Sequence, residues 1–280
     1  MSVQIIVDSS VDVAERFRER LHIVPLIIHF GEEELIDGVT INKEQFYRRL
    51  VESEQLPFTS QASPVAFQKV YEEVTQAGDS AVVITLASKL SGTYQSACIA
   101  AGDFDNIYVV DSQTAAIGAG VLTEYALARA EAGIGARELA SELEQKREDV
   151  CLVALLDTLE YLKRGGRISK TAALAGGLLN IKPMITVRDG EVVLIGKARG
   201  SKQGNSLLVE KIRACGGIDF DLPILLGYSG LSGESLETYV EYSHELWERG
   251  TEILDKTCIS GVIGTHTGPG VVAAAFFRKH

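Results

Sequence analysis

No run of apolar residues in this 280-residue chain approaches the length of a bilayer-spanning helix, so stable membrane insertion is not expected. Positive charge is also short, with 27 Lys and Arg against 38 Asp and Glu and a net charge of −11. That balance argues against a nucleic-acid partner, because a binder of phosphates needs a basic face to displace their counterions. It argues equally against standing attachment to an anionic membrane surface. Cysteine is sparse. Cys98, Cys151, Cys215 and Cys258 lie far apart, and no pair has metal-ligand or redox-pair spacing, so reduced and mostly buried thiols are expected. The strand-like run Val3 to Val7 begins almost at once and leaves no room for a signal peptide, which points to the cytoplasm.

The common enzyme signatures are missing as well. Serine with histidine invites a hydrolase reading with Ser91, His266 and Asp8 or Asp111, yet there is no nucleophile-elbow motif, and Gly227-Tyr228-Ser229-Gly230 has the wrong spacing. His244-Glu245 is followed by no second histidine at zinc-protease spacing. The stretch from Gly190 to Gly196-Lys197 is one residue too long for a Walker loop, and Ala198 stands where Ser or Thr is needed. Gly118-Ala119-Gly120 lacks the third glycine of a dinucleotide loop. No catalytic residue, metal or cofactor is assigned on this reading.

What is present is ample core material, with 46% hydrophobic and 23% charged residues and no sign of disorder, repeats or low complexity. The first half alternates β-branched runs (Val3–Val7, Val24–Ile28, Ala81–Leu86, Ile107–Val110) with amphipathic stretches, as βαβ units do. Helix starts are signalled at Ser63-Pro64 and at Ser9/Ser10 before Val11. In the second half, Pro183–Val187 and Val192–Ile195 flank Asp189-Gly190, a hairpin signal, and helical patterns at 201–214 and 233–248 alternate with strands at 222–227 and 253–259. The expected fold class is α/β: an N-terminal, mainly parallel sheet flanked by helices (1–155), then a C-terminal α+β domain with a mixed or antiparallel sheet (156–280). Parallel strands would gather the turns Asp8-Ser9-Ser10, Lys89 to Thr93, and Asp111 to Thr114 along one ligand-binding edge.

Four polar clusters stand out. In Thr59-Ser60-Gln61-Ala62-Ser63-Pro64, helix capping accounts for Ser63 but leaves the hydroxyls of Thr59 and Ser60 free to face a ligand. Ser91-Gly92-Thr93-Tyr94-Gln95-Ser96-Ala97 reads either as a capped helix start or as an anion-binding turn at a helix N-terminus. Arg164-Gly165-Gly166-Arg167-Ile168-Ser169 is either a solvated turn or a fork for a carboxylate, a phosphate or an acidic partner. Three glycines and a proline around His266 in Gly264-Thr265-His266-Thr267-Gly268-Pro269-Gly270 describe a rigid, specific loop.

These clusters, in this order, resemble the DegV family, which includes the fatty-acid-binding B subunits of bacterial fatty acid kinases. The likeness runs from Asp8-Ser9-Ser10 through Val24-Pro25-Leu26, Thr59-Ser60-Gln61, the Ser91 cluster, Asp111-Ser112, Gly165 to Ser169 and Lys182-Pro183 to His266-Thr267-Gly268-Pro269-Gly270. It implies a non-enzymatic carrier that buries a long-chain fatty acid, such as palmitate or oleate, in a tunnel. It implies that Thr59 and Ser91 hold the carboxylate, with His266 in the same network, Thr267 beside it and Arg167 orienting the head group. A separate kinase subunit would then make the acyl phosphate, with Arg164 and Arg199 as docking contacts. A lipid sensor or transporter without a kinase, or an esterase using Ser91 and His266, are the alternatives. Ala62 stands where many relatives have proline.

Overall fold

The structure is a computed structural model and describes residues 2–168 and 180–279. Strands β1 (Val3–Asp8), β2 (His22–Val24), β3 (Ile27–Phe30), β4 (Glu33–Ile36), β5 (Phe58–Ser60), β6 (Ser80–Thr85) and β7 (Ile107–Asp111) precede residue 150. After it come β8 (Val150–Leu155), β9 (Ile181–Arg188), β10 (Glu191–Arg199), β11 (Leu225–Tyr228), β12 (Asp255–Cys258) and β13 (Val272–Phe277). They form three sheets. One is fully parallel, in the order β2-β1-β6-β7. A six-stranded mixed sheet runs β10-β9-β8-β13-β11-β12, with only β11 and β12 parallel. A small antiparallel sheet runs β4-β3-β5.

The expected α/β class and the Asp189-Gly190 hairpin are both found, β9 pairing with β10 around that turn. Ser63 caps the helix Pro64–Gln76 by accepting from Ala66 N–H at 3.2 Å. Other expectations change. The run Val24–Ile28 is not one strand: β2 ends at Val24 and β3 begins at Ile27 in a different sheet. Pro25 has no N–H to give a ladder, so the chain breaks there, and the Leu26 N–H turns to Ser9 Oγ at 3.1 Å. No helix starts at Ser10. Its N–H and hydroxyl both donate to the Asp8 carboxylate, which closes a turn, and the first helix is only Glu15–Arg18. The helix expected over 233–248 stops at Tyr242 and continues as a short 3₁₀ turn. A boundary at 155 would leave β8 with the first sheet, whereas its hydrogen bonds to β13 and β9 put it in the six-stranded one. All four thiols are free and half-buried, where burial was expected.

The helix Ala116–Glu131 lies against both large sheets. Its first two turns are apolar on every side, from Ala116 to Leu122, and an all-round apolar helix must be covered all round. The main core cluster accordingly mixes β1 and β6 residues (Ile5, Val7, Val82, Ile84) with β8 and β13 residues (Leu152, Ala154, Ala273, Ala275) about this helix. Small residues set the approach: a Cβ at Gly120 would sit 1.9 Å from the backbone oxygen of Asp12. Because that obstacle is backbone, Gly120→Ala is expected to destabilise the protein by about 3 kcal/mol or more in urea unfolding. Gly135→Ala, where a Cβ meets nothing within 4 Å, should cost under about 1 kcal/mol.

Candidate ligand-binding site

The parallel sheet delivers its turns to one edge. Asp8 at the end of β1 accepts from Leu86 N–H at 2.8 Å, and Asp111 at the end of β7 accepts from Ser88 N–H at 3.2 Å. Beyond β6 the chain passes Leu90 and Ser91 into the helix Thr93–Ala101. Thr59 comes from the small sheet, where β5 pairs with β3 (Ile28 opposite Thr59) and Ser60 Oγ meets His29 Nε2 at 2.8 Å. His266 and Thr267 are not in the loop the sequence suggested. They form the last turn of the helix Gly261–Thr267, and the irregular segment starts at Gly268. Arg164 ends the helix Glu160–Arg164, and Arg167 follows its glycine turn; Ser169 of that cluster lies outside the described residues.

These elements surround one cavity of about 350 Å³. Its walls are aliphatic along most of their extent, with Leu152, Ala154, Ile185, Val187, Val192 and Ala273 from the six-stranded sheet facing Leu26, Leu86 and Ile117. Thr59, Ser91, Arg167, His266 and Thr267, all singled out in the sequence, line this same space. A second cleft, of about 620 Å³, adjoins it. Thr59, Arg167 and His266 line both, so they form a shared wall, and Leu56, Phe58, Tyr161 and Arg164 also line the second cleft. Arg164 is ion-paired with Glu160 at 2.7 Å, and Arg199 lines neither space.

The polar wall is specific in its bonding. Thr59 Oγ1 and His266 Nε2 are 2.9 Å apart. The other ring nitrogen, Nδ1, is buried without a partner among the described residues and faces Gly165, where a Cβ would approach it to 2.2 Å. An orphaned acceptor is more readily tolerated than an orphaned N–H. The proton therefore belongs on Nε2, which donates to Thr59, and the Thr59 hydroxyl hydrogen is left to turn toward the cavity. Ser91 Oγ accepts from Thr93 N–H at 3.3 Å and lies 2.9 Å from Thr93 Oγ1. Thr267 spends its hydroxyl hydrogen on the Ile263 carbonyl at 3.1 Å. Ser91 and His266 thus engage Thr93 and Thr59 respectively. Gln61, given no role from sequence, braces this wall by donating to Ser96 Oγ at 2.9 Å.

Charge at this wall is one-sided. Arg167 donates from Nε to the Leu90 carbonyl at 3.2 Å and from Nη1 to the Gly165 carbonyl at 2.6 Å. Among the described residues no carboxylate pairs with it. Burial first, and the Arg167 charge second, push the His266 pKa down to about 4, so the imidazole is neutral near pH 7. Among the described residues no group of His, Cys, Asp and Glu is arranged to hold a metal ion, and no helix is long and apolar enough to cross a membrane.

Fold and site together define an α/β protein with a mainly aliphatic cavity whose lining also carries hydroxyls, an imidazole and a guanidinium. The chain belongs to the DegV family, whose model, described as an uncharacterised protein family, matches residues 2–279. A DegV domain-containing protein of Caldanaerobacter subterraneus is 35% identical over 281 residues, 99% of each chain. The solved DegV family protein from Thermus thermophilus, described by its fatty acid binding, is 30% identical with a TM-score of 0.87, over 99% of this chain and 100% of that one. The Streptococcus pneumoniae fatty acid kinase B3 protein, loaded with linoleic acid, shares the fold at a TM-score of 0.86 and 20% identity, over 100% of both chains.

The protonation pattern predicts a pH signature. An unfolded chain takes up the His266 proton near 6.5 and the native one only near 4, so the stability this residue contributes is complete above 6.5 and is lost as pH falls toward 4. Asp8 at about 6, and Asp37 and Glu124 at about 7, are raised by burial and act oppositely, their contribution present at low pH and lost as pH rises through those values. His266→Gln should therefore gain thermal midpoint relative to the parent as pH falls from 6.5 to about 4. A difference that stays constant with pH would refute the neutral-imidazole assignment.

Proposed function

We propose that this chain binds a long-chain fatty acid, of the palmitate or oleate class, in the aliphatic cavity and presents its carboxyl group to a separate kinase subunit. The observation that carries this reading is the cavity itself: aliphatic for most of its wall, and lined also by hydroxyls and by a guanidinium that, among the described residues, no carboxylate pairs. Burying a long acyl chain is favourable by about 0.8 kcal/mol per CH₂, roughly 10 kcal/mol gross before ordering costs. An ionised head group withdrawn from water needs donors and a compensating charge. Thr59 and Ser91 supply O–H groups, and Arg167 supplies the charge. His266 acts through Thr59, fixing its hydroxyl; an anion bound beside the ring would favour its protonated form and raise its pKa.

The likeness to the Thermus protein supports the ligand class, and the shared wall supports presentation. A carboxylate held by Thr59 and Arg167 would be reached from the second cleft, which those residues also line. There the carboxylate oxygen would attack the terminal phosphorus of a nucleoside triphosphate held by the partner, forming the acyl phosphate and releasing the diphosphate. Arg164, which lines this cleft, suits a docking contact; Arg199 does not line it. The chain itself carries no catalytic group on this reading.

Protein purified from a bacterial host should release fatty acid on organic extraction, identified by mass spectrometry. Thr59→Val and Ser91→Ala should each weaken acid binding roughly 2- to 100-fold, the worth of one lost donor. Ile185→Trp, which fills the apolar part, should abolish it. Folded protein that is reproducibly empty and shows no saturable uptake of palmitate would overturn the assignment. With a fatty acid kinase catalytic subunit and ATP added, His266→Ala should slow acyl-phosphate formation; equal turnover would remove His266 from presentation.

A further inference from the structure

Cys151 and Cys215 are 64 residues apart in sequence, yet the fold brings them to one cleft and one core cluster, where the Cys215 thiol donates to the Lys211 carbonyl at 3.3 Å and each thiol acts on the ionisation of the other. Cys151 is the second residue of β8, and Cys215 caps the C-terminus of the helix Gly200–Ala214 that packs on that strand. Both side chains pack against the same core cluster and both line a cleft of about 440 Å³ that also exposes Arg147, Arg188 and Arg278. The pair is therefore reachable by a small polar oxidant. Neither Cys98 nor Cys258 has a second sulfur among the groups acting on it; their thiols interact with Tyr94 and Tyr228.

We propose that Cys151 and Cys215 form a dithiol modification site that a peroxide closes to an intramolecular disulfide, with Cys215 attacking and Cys151 resolving. The chemistry balances without a further reagent. The Cys215 thiolate attacks one peroxide oxygen, the O–O bond breaks, and hydroxide leaves and is protonated to water, giving Cys215 sulfenic acid. The Cys151 sulfur then attacks the Cys215 sulfur, and the sulfenic hydroxyl leaves with the Cys151 proton as a second water. Two thiols lose two electrons in total and one peroxide is reduced. The surroundings support this order. The hydrogen bond from Cys151 leads in holding the Cys215 thiol below its ordinary range, burial opposes it, and Arg188 and Arg278 add to the lowering. The hydrogen bond to Cys215, followed by burial, pushes Cys151 up.

The site stands apart from the acyl cavity. Cys151, Val153 and Leu155 face the outer core cluster, whereas Leu152 and Ala154 face the cavity from the other side of β8. The test is a hydrogen peroxide titration of the reduced full-length protein, followed by thiol counting under denaturing conditions and non-reducing peptide mapping. The count should fall from four to two at the lowest effective dose, with one cross-linked peptide pair containing Cys151 and Cys215. Cys151→Ser should leave a sulfenic acid at Cys215 that dimedone traps, and Cys215→Ser should keep its three thiols at that dose. Earlier oxidation of Cys98 or Cys258, disulfides only between molecules, or four intact thiols at doses that oxidise methionine would overturn the proposal. None of these results depends on whether the cavity holds a fatty acid.

Discussion

The side chain of Asp12 ties the two halves of the chain together. Its carboxylate is 2% exposed and accepts the Ser260 N–H at 2.9 and 3.1 Å and the Ser260 hydroxyl at 3.2 Å, while Lys43 Nζ stands 3.1 Å away. A buried charge is tolerable only when it is paired and its oxygens are satisfied, and here both conditions are met by groups distant in sequence. Ser260 is the N-cap of the helix that carries His266, and it makes no side-chain cap of its own; Asp12 fills that role from the turn after β1. The backbone oxygen of the same residue rests against Gly120. One residue thus fixes the central helix on one side and the helix bearing the imidazole on the other, and the distance from His266 to Thr59 follows from that anchorage.

The polar wall shows how burial decides protonation. His266 sits where ionisation is disfavoured twice, by burial and by a neighbouring guanidinium, so it works as a neutral donor. The buried carboxylates respond in the opposite sense for the same reason, and Asp8 and Asp37 are pushed toward neutrality even though they accept hydrogen bonds. Their place is beneath the site, in the turns that hold its frame, and they are absent from the cavity lining. Among the described residues that line the cavity, Arg167 carries a charge that no carboxylate pairs. On the proposed reading, a cation held by two carbonyl oxygens, with an aliphatic space beyond, matches an amphiphilic anion far better than a neutral lipid or a polar metabolite.

Much of this was legible in the sequence because local chemistry and final structure agree. The β-branched runs of the parallel sheet, the Asp189-Gly190 hairpin and the Ser63-Pro64 helix start depend on neighbours a few residues away, and the fold leaves them in place. The five residues chosen for the cavity were identified through ordered motifs, which carry no distances; that they line one space became visible only with the fold. What the sequence hid was set by long-range pairing. Val24–Ile28 looks continuous by composition, yet Pro25 divides it between two sheets, and the second piece creates the small sheet that carries Thr59. The irregular look of Gly264–Gly270 concealed a final helical turn at His266, because glycine weakens a helix without forbidding one. Cys151 and Cys215 have no meaningful spacing in the chain and become neighbours only when the helix Gly200–Ala214 lies on β8.

On the proposed reading, the arrangement separates two demands that a fatty acid places on its carrier. Affinity grows with each buried methylene and is indifferent to direction, so it belongs to the aliphatic walls supplied by β8, β9 and β13. Orientation and reactivity need few, directed contacts, and these come from four different elements: an edge strand, the turn after β6, the end of the helix Gly261–Thr267 and the glycine turn that carries Arg167. Because Thr59 and His266 reach the wall from opposite halves of the chain, the head-group geometry is set by the fold as a whole, while the tail cavity can change shape through single core substitutions. On the proposed reading, chain-length preference can therefore drift among relatives without disturbing the wall through which the carboxylate is offered.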